Sequence, residues 1–371
     1  MSNKFLLLGY FGFDNSGDDA ILKAMVDKLK SVDENVEITA LSKNPEKTSS
    51  EYEVSSINRF SLREVYKAMK ETDCFIFGGG SLLQDITSSR SLYYYLTLIN
   101  MARFLNKPIF VFANGVGPID KKINRILTKK ILDKVDYITL RDKSSYNFVR
   151  TIGVKNPNIK VTADPVFLLN ASPDERADEI LKDQNINLSE NTIGISIRNW
   201  PKSPNLAREI AGFCDKLIEE DVDILIVPMH YPYDVEYSEN IKILSRNERI
   251  HILDKKYKVE DIISILKKCK LVLAMRLHAL IYAAKANVPI VGLIYDPKVT
   301  GLIEELSISE YLRVEDLNSE MLKEKYDKAM ENIEDRKQSI TMANNRQENL
   351  AKETVELLEE LCKWKMLRFL V

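Results

Sequence analysis

Along the chain, short uninterrupted apolar runs alternate with longer segments whose apolar residues recur at helical spacing. Residues 4–8 (KFLLL) have the continuous apolar character of a strand buried on both faces. Residues 18–30 follow with Ile21, Leu22, Met25 and Leu29 on one helical face. The pattern repeats with predicted strands at 36–41, 74–77, 109–113 and Tyr137–Leu140. It restarts after residue 191 with predicted strands at 192–197, 223–227, Leu271–Ala274 and 289–293, and with helices near 206–220, 259–268 and 278–285. Apolar strands followed by helices read as parallel sheets covered on both faces. The polar stretch 168–191 (LLNASPDERADEILKDQNINLSEN) interrupts the rhythm and has room for a short helix. The expected domain boundary falls there: a Rossmann-like domain over 1–170, a second over 171–345, and a helical end over 346–371.

Length supports two domains, since 371 residues exceed what one hydrophobic core usually organises. Hydrophobic residues at 45% and charged residues at 29% are the mix of a soluble globular protein. With 53 basic and 55 acidic side chains the net charge is -2, which argues against nucleic acid as the main partner and leaves room for a local basic pocket. Cys74, Cys214, Cys269 and Cys362 form no C-x-x-C pair, so neither a disulfide framework nor a zinc site is expected, and a reducing compartment is. The opening MSNKFLLLGY is too short in its apolar run for a signal peptide. No segment approaches the ~20 apolar residues that span a bilayer. A cytoplasmic protein is expected, with any membrane contact peripheral.

In open α/β sheets, ligands bind beyond the carboxyl ends of the strands, so candidate chemistry is sought there. The first strand runs into GYFGFDNSGDDA (residues 9–20), which is neither a G-x-G-x-x-G fingerprint nor a P-loop. It reads either as a tight strand-to-helix turn or as a ledge for a sugar or another uncharged polar ligand. The third strand leads into FGGGSLLQD (77–85), whose glycines let a ligand approach the backbone. NGVGP (114–118) has the look of a structural turn.

The fifth strand delivers Arg141 at its carboxyl end, either as a fork for a carboxylate or phosphate, or as the partner of Asp142 or another acid. The sharpest signal is AMRLHALIYAA (274–284), in which Arg276 and His278 stand at the start of an apolar helix. A helix N-terminus favours anions, and a histidine can pass a proton near neutral pH. Lys298 in IYDPKVTG (294–301) follows the neighbouring strand, and Arg198 follows strand 192–197. Arg141, Arg276, Lys298 and His278 together would suit a small, multiply anionic ligand. The three histidines, His230, His251 and His278, are too scattered for a metal site, and His251 reads as a strand residue.

The motifs GYFGFDNSGDDAIL, FGGGSLLQD, NGVGP, TLRD, ADPVF, SIRNW, MRLHALIYAA and YDPKV span nearly the whole chain. In this order they resemble the polysaccharide pyruvyl transferase family, in particular its bacterial cell-wall branch of CsaB type. Asp19 stands where that pattern leads one to expect glutamate, and the carboxylate is retained.

The resemblance implies an α/β, GT-B-like fold of two facing Rossmann-like domains with an inter-domain cleft, the C-terminal helix often crossing back. It implies transfer of pyruvate from phosphoenolpyruvate, a co-substrate rather than a cofactor, to form a 4,6-ketal with release of phosphate. The implied acceptor is N-acetylmannosamine on an undecaprenyl-diphosphate-linked ManNAc-GlcNAc precursor of a secondary cell-wall polymer that anchors S-layer proteins. The implied donor site is Arg141, Arg276 and Lys298, with His278 as the catalytic acid. The implied acceptor site lies near Asn15, Asp18, Gly79, Gly80 and Arg198, and no metal is implied. Two rivals accompany this reading, a nucleotide-sugar glycosyltransferase of the same fold and a non-catalytic α/β sensor or scaffold. The terminal KWKMLRFLV, with Trp364, Leu367 and Phe369 among basic residues, would either touch a membrane or pack on the N-terminal domain.

Overall fold

A computed structural model describes residues 3–86 and 88–368, with side chains given as far as residue 361. The thiol of Cys362 and the side chains of Trp364, Leu367 and Phe369 lie outside the described residues. The chain divides into two compact units, one of Met1–Leu168 with Gln347–Val371, the other of Leu169–Arg346.

In unit 1 the strands are β1 (Lys4–Phe11), β2 (Glu37–Ser42), β3 (Ser55–Asn58), β4 (Cys74–Gly78), β5 (Ile109–Asn114), β6 (Tyr137–Leu140) and β7 (Ile159–Val161). They form a parallel seven-stranded sheet in the order β3-β2-β1-β4-β5-β6-β7. The helices between them are α1 (Ser16–Val32), α2 (Pro45–Tyr52), α3 (Leu62–Glu71), α4 (Ser89–Phe104), α5 (Lys122–Leu132) and α6 (Lys143–Thr151).

The central strands β4 and β5 are buried at every position, and their side chains join the core with Leu6, Leu8 and one face of α4. Helix α1 starts where Asn15 Oδ1 accepts the Gly17 N–H at 3.1 Å, with Asp18 and Asp19 favourably placed in the first turn. It then buries Ile21, Leu22, Met25 and Leu29. The strand order reverses between β1 and β4, so the loops leaving these two strands open at the switch point of the sheet.

Unit 2 holds α7 (Asp174–Asp183), β8 (Thr192–Ser196), α8 (Leu206–Glu219), β9 (Asp223–Ile226), α9 (Tyr233–Ser245) and β10 (Ile250–Ile252). It continues through α10 (Val259–Leu266), β11 (Leu271–Ala274), α11 (Leu277–Lys285), β12 (Ile290–Ile294), α12 (Pro297–Glu305), β13 (Tyr311–Arg313) and α13 (Ser319–Glu331). Its parallel sheet runs β10-β9-β8-β11-β12-β13, with the switch point between β8 and β11. The polar interruption in the sequence holds α7, whose Ala177, Ile180 and Leu181 are buried. The last helix, α14 (Ile333–Arg368), begins in unit 2 and runs into residues that belong to unit 1. There the Thr354 hydroxyl bonds to that of Thr162 at 2.8 Å, and Glu353 pairs with Lys160 at 2.8 Å. No described helix is long and apolar enough to cross a membrane.

Candidate active site

At the switch point of unit 2, Ser196 of β8 pairs with Ala274 of β11, and the Met275 N–H donates to the Ser196 carbonyl at 2.8 Å. Arg198 and Arg276 therefore stand at the same register, each two residues past a paired position on adjacent strands. Both arginines thus follow the ends of neighbouring strands at the switch point of the sheet.

Arg276 is the N-cap of α11 with extended backbone, and His278 sits in the first turn. One Arg276 nitrogen, Nη2, donates to Asp234 Oδ1 at 2.5 Å. Asp234 is buried at the start of α9, and its other oxygen accepts the N–H groups of Met229 and His230 at 3.2 and 3.0 Å. A single carboxylate thus ties the end of β9 to the end of β11 and fixes the arginine. The Nε atoms of Arg276 and Arg198 are buried with no hydrogen-bond partner. Among the described residues no carboxylate pairs with Arg198.

The third contributor is the end of β12. Asp296 caps α12 by accepting the Lys298 N–H at 3.0 Å, and its other oxygen lies 3.9 Å from Lys298 Nζ. The Lys298 ammonium and the Arg198 guanidinium each stand 5.9 Å from the Tyr295 ring centre. Tyr295 packs edge-on against Trp200, whose indole N–H donates to Glu315 at 3.0 Å. Arg198, Arg276, His278 and Lys298 thus share one edge of the unit 2 sheet, with Arg198 and Lys298 meeting on one aromatic ring. His251 lies in β10, half-buried, where burial pulls its imidazole below the usual histidine value.

The other candidates belong to unit 1. Gly79 and Gly80 follow β4 with φ of 75° and 71°, in the left-handed region that favours glycine. A Cβ on Gly79 would lie 2.1 Å from Ile21, and one on Gly80 would lie 3.1 Å from Asp18 Oδ1, so the glycine run presses directly on the start of α1. Asn15 spends its side-chain oxygen on the α1 cap.

Arg141 leaves β6 only 6% exposed, its Nη1 on buried Asp164 at 2.9 Å and its Nη2 on Ser81 at 2.8 Å. Asp142 is 3.7 Å from its Nε. Of the two readings open for this arginine, the acid partner is present, and it is Asp164 of the ADPVF motif. Beside it, Asn114 follows Ala113 at φ 43° and is fully buried, with neither side-chain amide atom paired in the protein. An unpaired buried amide invites a water or ligand group.

Two groups escaped sequence reasoning. Asp234 is one, and an acidic residue in a helix's first turn is too common a signal to single out. Arg59 is the other. It is buried, donates to the Gly9 carbonyl at 2.7 Å and to the Tyr95 hydroxyl at 3.2 Å, and lies 5.0–5.6 Å from the rings of Phe13, Phe60, Tyr94 and Tyr95. Burial pushes the Tyr10 hydroxyl up, the Asp18 carboxylate adds to this, and Arg59 opposes it. Asp18, Tyr10 and Arg59 therefore share one electrostatic neighbourhood at the mouth of β1.

The sequence profile of the family described as polysaccharide pyruvyl transferase matches residues 15–297, more than half of the chain. The amylovoran biosynthesis protein AmsJ of Erwinia amylovora is 20% identical over 419 aligned positions, covering 96% of this chain and 100% of AmsJ. Among solved structures, a putative UDP-N-acetylglucosamine 2-epimerase of Listeria monocytogenes superposes with a TM-score of 0.67 at 14% identity, over 98% of this chain and 97% of its own. Anabaena HepE, solved with UDP and glucose, gives 0.65 at 12% identity, over 98% and 100%. These structural likenesses show the fold, α/β and GT-B-like with two Rossmann-type sheets. By its sequence, the chain belongs to the polysaccharide pyruvyl transferase family.

Proposed function

We propose that this transferase uses phosphoenolpyruvate to place a 4,6-linked pyruvate ketal on an N-acetylmannosamine residue of a lipid-linked secondary cell-wall polymer precursor, at the cytoplasmic face of the membrane. The observation that carries the reading is that Arg198 and Arg276 each follow the last paired residue of adjacent strands by two positions, at the unit 2 switch point, with His278 and Lys298 on the same edge of the sheet. Two adjacent cations with buried, unpartnered Nε atoms are favourable when an anion lies against them. A donor carrying both a carboxylate and a phosphate supplies that charge in a small volume.

In this reading Arg276 and Lys298 grip the carboxylate and phosphate and Arg198, at their side, steadies the acceptor, while Arg141, already held by Asp164 and Ser81, is left out of the donor grip. The reacting carbon becomes cationic, so these positive groups serve best at the donor's periphery, where they orient it and assist phosphate loss. His278 gives a proton to the methylene carbon, which becomes the methyl group. One sugar hydroxyl adds to the central carbon, the C–O bond to phosphate breaks and a second hydroxyl closes the ring; of the two hydroxyl protons one restores His278 and the other goes to the departing phosphate. Asn15, Asp18, Gly79 and Gly80 are proposed to hold the acceptor sugar.

The test is phosphate release from phosphoenolpyruvate with a ManNAc-GlcNAc-diphosphate-lipid analogue, with mass spectrometry of the sugar. Wild type should add one ketal-linked pyruvate, and His278→Ala should lose about 10²–10⁴-fold in kcat. Near-normal turnover in that variant refutes the assigned acid. Binding and transfer of a UDP-sugar, without phosphate release from phosphoenolpyruvate, would favour the glycosyltransferase alternative.

A further inference from the structure

Helix α5 is built inside out. Its inward positions include Asn124 and Thr128, both fully buried, while Ile123 and Ile126 face outward at 55% and 49% exposure. Only Leu132, with Leu127 and Ile131 in part, supplies apolar contact to the core. A helix that merely covers a sheet places its isoleucines inward, so folding of unit 1 does not explain this arrangement.

Of these two inward polar residues, Asn124 has a task, while the Thr128 hydroxyl is buried with no hydrogen-bond partner. Asn124 donates to Asp85 at 2.7 Å and to Ser89 at 3.2 Å, and accepts the Tyr93 hydroxyl at 2.8 Å. Asp85 also takes the N–H groups of Asp120 and Lys121. This network locks the start of α4 and the loop before it against α5. Ile86 and Tyr93, both exposed, lie on the segment that this network holds against α5.

Cations surround that apolar surface. Lys122 and Lys130 lie on the outward side of α5, and Arg90 is exposed in the first turn of α4. Among the described residues none of the three has a carboxylate partner. Helices α4 and α5 follow β4 and β5, so their first turns lie toward the same edge of the sheet as Gly79 and Gly80.

We infer that this face of unit 1 docks on an anionic phospholipid bilayer, with Ile123 and Ile126 entering the headgroup boundary and Lys122, Lys130 and Arg90 meeting lipid phosphates. Exposed aliphatic side chains ringed by unpaired cations are the complement of such a surface. A second copy of the chain fits less well, because a two-fold contact would press this cation-bearing patch onto a copy of itself.

The docking rests on the α5 surface alone and is read without donor or acceptor, so its failure and that of the catalytic reading are separable. The full-length protein is sedimented with phosphatidylcholine vesicles, with and without phosphatidylglycerol. Wild type should bind the anionic vesicles, release them as salt rises, and ignore the neutral ones. Ile123→Asp with Ile126→Asp, and separately Lys122→Glu with Lys130→Glu, should each weaken binding at least about tenfold. At positions 122 and 123 an acidic residue suits the helix dipole and at 130, in the last turn, it does not, so unchanged thermal melting is required to confirm folding in either pair. No binding by wild type, or wild-type binding by both folded variants, overturns the inference. So does a lipid-free dimer that the aspartate pair dissolves, which would make the patch a self-association surface.

Discussion

Arg141 and Arg276 arise from one sequence signal, an arginine just past a buried strand and just ahead of a helix, yet the fold treats them differently. Arg141 is sealed, with one terminal nitrogen on Asp164 and the other on Ser81. Arg276 has one nitrogen fixed by Asp234 and its Nε left without a partner, two residues from His278 and on the same edge of the sheet as Arg198. What separates them is how many donors remain after the protein has satisfied itself. The lesson is that position beyond a strand locates an arginine, while its acceptors decide how much of it a ligand can use.

The strongest way to break this contrast is to open the sealed site. Asp164→Ala leaves a buried guanidinium without its counter-charge and should cost about 3–5 kcal/mol of stability, read from the urea midpoint. A loss below about 1 kcal/mol would mean that Arg141 is not anchored by this pair.

A finer test acts on the other arginine. Asp234→Asn keeps the size of the side chain and an oxygen for the Met229 and His230 amides, but removes the charge that holds Arg276. Donor KM should rise about tenfold, with kcat lowered less, since a misdirected fork grips the anion poorly. Asp234→Glu should restore part of the loss. Equal effects on kcat alone would place Asp234 in the chemistry rather than in positioning.

The smallest expected effect is electrostatic. Burial pushes the Asp85 carboxyl up, but hydrogen bonds from the Asp120 N–H, the Asn124 amide and the Lys121 N–H outweigh it and leave the group below the usual carboxylate value. A depressed folded value means that its stabilisation is complete above the unfolded value of about 4 and is lost as pH falls through the folded one. Urea midpoints of wild type and Asp85→Asn should therefore converge as pH drops below about 4. Parallel curves would show that Asp85 is not part of a closed network.

Much of the architecture was legible because interior strands of parallel sheets are apolar on both faces. The strands β4, β5, β8, β11 and β12 are buried at every position, and each stands out as a run. The strands β3, β7 and β13 are short and partly exposed, and their sequences SSIN, IKV and YLR carry no such signal. At the site, Arg276 and His278 were legible because a strand ends and an apolar helix begins around them. Asp234 and Arg59 were not, because their meaning depends on partners 42 residues away in the first case and on rings from separate elements in the second. The outward isoleucines of α5 are invisible to periodicity, since only the fold shows that its polar residues point inward.

Helix α14 carries a consequence for how the protein is made. Unit 2 is continuous in sequence, but unit 1 ends with residues 347–371, and Thr354 and Glu353 meet partners near residue 160. On the ribosome the first unit to emerge is thus completed only after the second, its final surface covered once the residues beyond 346 have been synthesised. A message cut short within α14 would leave the residues of the second unit nearly all present and an opening in the first.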